Sequence, residues 1–122
     1  MAKTILIVED NEHFRLILGS MLGSSGYKII EAETGAQAIQ KALSVSPHLI
    51  LMDLDLPDMT GIEVTRKLKE NPTTAAIPVI ACSAWSMREW KEEALYAGMV
   101  DYLQKPIPAE LLKRTIEKFI LA

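Results

Sequence analysis

Six side chains in this 122-residue sequence have the types and spacing that suit phosphoryl chemistry: the adjacent acids Glu9 and Asp10, the acids Asp53 and Asp55, the hydroxyl of Ser83 and the amine of Lys105. Each stands at or just beyond the end of an apolar run of strand length. If those runs are parallel strands, their carboxyl ends share one crevice, which is where open α/β sheets bind ligands. Two carboxylates about 5 Å apart repel by roughly 3 kcal/mol at an effective dielectric near 20, a sizeable part of a domain's typical stability. Such a cluster needs a cation. Carboxylate oxygens with positions left for water suit Mg2+, which binds through one or two carboxylates plus a phosphate. Lys105 adds a second positive charge and Ser83 a hydrogen bond for a phosphoryl oxygen. Asp53 is then the nucleophile, and its product is an aspartyl phosphate formed mainly by positioning and charge neutralisation.

The elements that must position these groups follow from periodicity. Leu49-Ile50-Leu51-Met52 has no polar alternation and reads as a strand buried on both faces. Similar runs lie at Ile5 to Val8, Lys28 to Ala32, Val79 to Cys82 and Val100 to Leu103, with helical patterns between them, so the fold class is α/β with a parallel sheet. Thr34 with Gln37, Thr60 with Glu63 and Ser86 with Glu89 have capping-box spacing and mark three helix starts. Phe14, Ile17, Leu18, Met21 and Leu22 give the first helix its apolar face, and Gly26 stops the chain after it. Ala36, Ile39 and Leu43 are the expected inner stripe of the second helix, and Val64, Thr65 and Leu68 that of the third. The last helix is expected from Pro108, with Leu112, Thr115, Ile116, Phe119 and Ile120 inward.

Bulk properties narrow the function further. The length suits one domain with a sizeable core. Thirteen basic against sixteen acidic residues give a net charge of −3 with no basic stripe, so direct nucleic-acid binding is not expected. Cys82 is the single cysteine, which excludes an internal disulfide and a thiolate metal site and suits a reducing, cytoplasmic setting. No signal peptide opens the sequence and no apolar run approaches a membrane span.

Taken in order, Glu9-Asp10, Asp53, Pro57, Gly61, Ser83-Ala84, Ala97-Gly98, Asp101-Tyr102-Leu103 and Lys105-Pro106 resemble the receiver domain of two-component response regulators, across residues 1–122. That resemblance implies a flavodoxin-like (βα)5 doubly wound sheet of strand order 2-1-3-4-5. It implies Mg2+ held by the side chains of Asp10 and Asp53 and the backbone carbonyl of Asp55, with Glu9 acting partly through water. Asp53 is then the phosphoacceptor for a sensor histidine kinase or histidine phosphotransfer protein. Ser83 and Lys105 move toward the phosphoryl oxygens, the aromatic Tyr102 changes rotamer, and the face of the fourth helix, fifth strand and fifth helix is remodelled for a downstream protein. The Lys105-Pro106 bond resembles one that is cis in the family and aims the amine into the pocket. A monomer or a phosphorylation-dependent dimer is implied, with no attached output domain. Such a module is a signalling domain rather than an enzyme, catalysing only its own phosphoryl transfer and dephosphorylation.

Two other readings use the same residues. Asp53-Leu54-Asp55 also resembles the Asp-x-Asp start of haloacid-dehalogenase-like Mg2+-dependent phosphatases, but those place it in the first strand and carry an acidic pair late in the chain. A flavodoxin-like nucleotide binder would need a glycine- and hydroxyl-rich loop after Val8, where this chain is acidic. Of the remaining residues, Cys82 reads as a small buried group, His13 and His48 as isolated histidines, and Gly98 as a left-handed helix end. Trp90 suits either core or a partner surface. Trp85, two residues after Ser83, is placed to control water access to an aspartyl phosphate.

Overall fold

The computed structural model describes residues 2–120 and is a three-layer α/β sandwich. In chain order the elements are β1 (Thr4–Val8), α1 (Glu12–Gly23), β2 (Lys28–Ala32), α2 (Gly35–Val45), β3 (Leu49–Met52), α3 (Gly61–Glu70), β4 (Val79–Ser83), α4 (Met87–Tyr96), β5 (Asp101–Gln104) and α5 (Ala109–Ile120). The five strands are parallel in the order β2-β1-β3-β4-β5, as the resemblance implies. Register pairs Val8 with both Ala32 and Met52 and Met52 with Ala81, so β2, β1 and β3 finish level, while β4 and β5 run two residues further to the paired Ser83 and Gln104; all five carboxyl ends lie along one rim. Leu121 and Ala122, on which the expectation of a chain ending after the fifth helix rests, lie outside the described residues.

Alternate strand residues divide between two apolar layers. Leu6, Val8, Ile50, Met52, Val79 and Ala81 face the layer under α2, α3 and α4. Ile5, Ile7, Leu49, Leu51, Ile80 and Cys82 face the layer under α1 and α5. That division explains why β1, β3 and β4 carry no polar alternation: each strand is covered on both sides. Each fully buried Leu or Ile contributes about 1.5–3 kcal/mol, so the central strands form a rigid floor beneath the rim.

Several local expectations need correction. The inner face of α2 is Gly35, Ala38 and Ala42, with Ile39 half-buried, while Ala36 and Leu43 face outward. The cause is close packing. A Cβ on Gly35 would lie 2.5 Å from Met59 Cγ and 2.8 Å from Val64 Cγ2, so α2 turns its smallest residues inward to lie against α3. Thr34 and Thr60 cap as expected, accepting the N–H of Gln37 and Glu63. Ser86 makes no side-chain cap; Gln104 Oε1 instead accepts the Met87 N–H at 2.7 Å. β5 starts at Asp101, leaving Val100 exposed, and α5 starts at Ala109, with the Pro108 carbonyl accepting the Leu112 N–H. Phe119 is only half-buried, and Ile17 in α1 is exposed. Gly98 follows α4 with φ of 113°, as expected.

Candidate functional site

The rim gathers four of the six candidate side chains, Glu9, Asp10, Asp53 and Lys105, through direct contacts or close approach. β1 ends into Glu9 and Asp10, and β3 into Asp53, whose backbone N–H donates to the Val8 carbonyl at 3.0 Å and so ties the two strand ends together. One carboxylate oxygen each from Glu9, Asp10 and Asp53 lies within 4.8 Å of the others. Glu9 and Asp53 are buried and Asp10 is exposed. Lys105, just beyond β5, donates through Nζ to Glu9 Oε1 and to Asp53 Oδ2, the latter at 3.3 Å. The Lys105-Pro106 peptide is cis. Asp55 is exposed, and its backbone N–H donates to Asp53 Oδ1 at 3.2 Å.

Ser83 is fully buried at the end of β4. Its Oγ accepts the Trp85 N–H at 3.2 Å, and its carbonyl accepts the Lys105 N–H at 2.8 Å, so the hydroxyl and the amine are laced to neighbouring strand ends. Tyr102 is buried and donates its hydroxyl to the Trp85 carbonyl at 2.7 Å; burial pushes its phenol above the ordinary range. The Trp85 indole leans on Trp90 with centroids 4.8 Å apart and planes inclined by 38°. Both rings are half-buried against the α4 side of the core, so Trp90 packs on the core and keeps part of its surface open.

Electrostatics show that this crevice carries more negative charge than it neutralises. Burial pushes the Glu9 carboxyl up to about 7, and the Lys105 bond and the Asn11 N–H offset only part of that while Asp53 adds to it. Burial also draws the Lys105 ammonium down, but its bond to Glu9 and the Asp53 charge outweigh this and leave it above the ordinary lysine value. The three clustered acids offer only hard oxygen donors, the set that fits Mg2+ rather than a thiophilic metal. Cys82 lies beneath, its thiol pushed up to about 12 by burial, and is inert. His48 is satisfied, its Nδ1 accepting the Thr4 N–H at 3.0 Å, while His13 is exposed.

Three supporting residues were not legible in the sequence. Arg15 is buried on α1, where it donates to the Glu9 carbonyl at 2.9 Å and pairs with Glu31 and Glu33 at 3.1 and 3.2 Å. Phe14, one residue earlier, places its ring centroid 4.0 Å from Lys105 Nζ. Asp58 accepts the Gly35 and Ala36 N–H groups at 2.8 and 3.0 Å, which fastens the loop after Asp53 to the start of α2. The only signal for Arg15 was a charge on the apolar face of α1. For Phe14 and Asp58 the partners lie on other elements, so local pattern carried none.

Comparison with known proteins agrees with this geometry. Residues 5–117 match the family model described as the response regulator receiver domain. The polar-differentiation response regulator DivK of Brucella ovis is 37% identical over 120 residues, covering 98% of this chain and 98% of the relative. The receiver domain of the sensor histidine kinase PA1611 from Pseudomonas aeruginosa PAO1 superposes with a TM-score of 0.92 at 34% identity, over all of both chains, and holds a magnesium ion coordinated in its active-site cleft. A putative response regulator from Chloroflexus aurantiacus J-10-fl gives a TM-score of 0.96 at 25% identity, again over the full length of each.

Proposed function

This chain belongs to the response regulator receiver domain family of two-component systems, and on that basis we propose that Asp53 is its phosphoacceptor and that it acts as a phosphorylation-controlled signalling module. The observation that carries this reading is the joint approach of Lys105 to Glu9 and Asp53 at the mouth of three clustered acids. Asp53 Oδ attacks the phosphorus of a phosphohistidine on a sensor kinase or phosphotransfer protein. The P–N bond breaks as the O–P bond forms, and the leaving imidazole nitrogen keeps the electron pair and takes up a proton. Lys105 then turns from the carboxylates to a phosphoryl oxygen, and the Ser83 hydroxyl donates to another. Asp10, Asp53 and the Asp55 carbonyl, with Glu9 beside them, would hold Mg2+, whose charge offsets that of the phosphoryl oxygens.

The readout runs from Ser83 to Tyr102. Their elements are joined at the Trp85 peptide, which donates to Ser83 through its N–H and accepts from Tyr102 through its carbonyl. Movement of Ser83 toward a phosphoryl group therefore alters the seat of the Tyr102 hydroxyl and, with it, the surface of α4, β5 and α5. On that surface Met87, Arg88, Lys91, Leu95 and Gln104 line a concavity of about 660 Å³, which supports a protein target there. No helix among the described residues is long and apolar enough to cross a membrane.

The deciding experiment is intact mass after incubation with acetyl phosphate, with and without Mg2+, beside Asp53→Asn. One phosphoryl increment that needs both Mg2+ and Asp53 is the expected result. Continuous phosphate release from a substrate panel with no adduct would overturn it in favour of a phosphatase built on Asp53 and Asp55.

A further inference from the structure

Lys105 Nζ has three N–H donors. Two are directed to Glu9 Oε1 and Asp53 Oδ2, and both acceptors are carboxylates that a bound cation would engage. The remaining side of the ammonium faces the Phe14 ring, whose centroid is 4.0 Å from Nζ. That ring packs on the α1–α5 apolar layer, while its backbone N–H donates to Asn11 Oδ1 at 2.9 Å and the Asn11 N–H in turn donates to Glu9 Oε2 at 3.0 Å. An ammonium against an aromatic face within 6 Å is attracted by the ring quadrupole, and the attraction strengthens where water is thin. The Lys105 side chain is 17% exposed, so this contact lies in such a place.

We propose that Phe14 is a positioning residue for phosphoryl transfer: its ring, seated on the apolar layer, keeps the Lys105 ammonium at the crevice when the carboxylates are engaged elsewhere. The inference rests on the role given to Lys105 above. A leucine at this position fills similar apolar space and supplies no quadrupole, whereas a tyrosine keeps the ring face. Substitution therefore separates packing from cation attraction.

The test measures the initial rate of phosphorylation by acetyl phosphate at saturating Mg2+, with Mg2+ affinity by calorimetry and thermal midpoint as controls. Phe14→Leu is expected to slow incorporation about three- to tenfold, the range of a partly desolvated cation–π contact. Phe14→Tyr should stay within about twofold of the native rate, and the controls should be unchanged in both. In a Lys105→Met background Phe14→Leu should add nothing, because the ring acts through the amine. A native rate for Phe14→Leu, a rate for Phe14→Tyr as slow as that of Phe14→Leu, or an equal loss with and without Lys105 would each overturn the inference. If Lys105→Met itself runs at the native rate, the role of Lys105 falls as well, an outcome distinct from failure of the Phe14 contact alone.

Discussion

Glu9 and Asp58 are both carboxylates at the carboxyl-end rim of the sheet, yet they are held in opposite ways. Asp58 is exposed and accepts two backbone N–H groups at the start of α2, which lower its pKa below the ordinary aspartate value. With Thr34 taking the Gln37 N–H, three of the four free donors of that helix end are satisfied. Glu9 is buried beside Asp53 and Asp10 with a single lysine among them, and its pKa rises to about 7. One acid is fully compensated by the chain and serves the fold. The other is left short of positive charge, which a ligand cation can supply, so the fold carries a cost that binding relieves.

The most disruptive way to break this contrast is at Gly61, which packs on the Asp53 backbone beneath the crevice. Gly61 follows the loop bearing Asp55 and Asp58, and a Cβ there would lie 2.2 Å from the Asp53 carbonyl oxygen. Gly61→Ala is expected to cost about 3 kcal/mol or more in denaturant unfolding and to displace Asp53. Retention of native stability would show that the loop is not pinned.

The contrast is sharpened by removing charge from the crevice. The full rise of Glu9 to about 7 corresponds to about 3 kcal/mol, of which solvent at the mouth screens part. Glu9→Gln should therefore stabilise the metal-free protein by about 2 kcal/mol at pH 8 and by almost nothing at pH 4, below both pKa values. A loss at pH 8 would mean that Lys105 already compensates the acid. The same shift sets the native protein's pH dependence. A carboxyl that keeps its proton longer in the native state than in the unfolded chain makes stability fall as pH rises from 4.5 to about 7. Adding Mg2+ at pH 8 should recover that loss, because the ion binds only the folded crevice. A flat metal-free profile over this window would contradict the charge imbalance.

Asp58 should give the smallest effect and the reverse sign. Asp58→Ala removes a helix-end partner and should lower the thermal midpoint by roughly 2–5 °C. Because its pKa is lowered below 3.8, the contribution is complete above that value and is lost only as pH falls further. The decrement should therefore be the same at pH 5 and pH 8. A pH-dependent decrement would place Asp58 in the electrostatics of the crevice.

Much of the molecule was legible from the sequence because the strands are covered on both faces, and continuous apolar runs such as Leu49 to Met52 announce that directly. Strand order and the roles of individual site residues came from the family resemblance, while the meeting of Glu9, Asp10, Asp53 and Lys105 followed from parallel strands whose carboxyl ends share one rim. The α2 face differs from the apolar stripe because size is a poor guide where two elements approach closely: Gly35 meets Met59 and Val64, and Ala38 and Ala42 are buried with it. The Ser86 side chain does not cap because its own carbonyl accepts the Glu89 N–H at 3.1 Å, while Gln104, on β5, accepts the Met87 N–H. Phe14 and Arg15 act on groups brought near only by folding, and no local period encodes that.

Trp85 and Trp90 are the only tryptophans in the chain, and their rings stand 4.8 Å apart at the junction of β4 and α4. The indole emission therefore reports on one place rather than on an average over the molecule. The Trp85 peptide that carries one of these rings also seats the Tyr102 hydroxyl. The protein thus holds an unlabelled optical gauge at the point where its acidic crevice meets its outer surface, readable in a cuvette on the native chain.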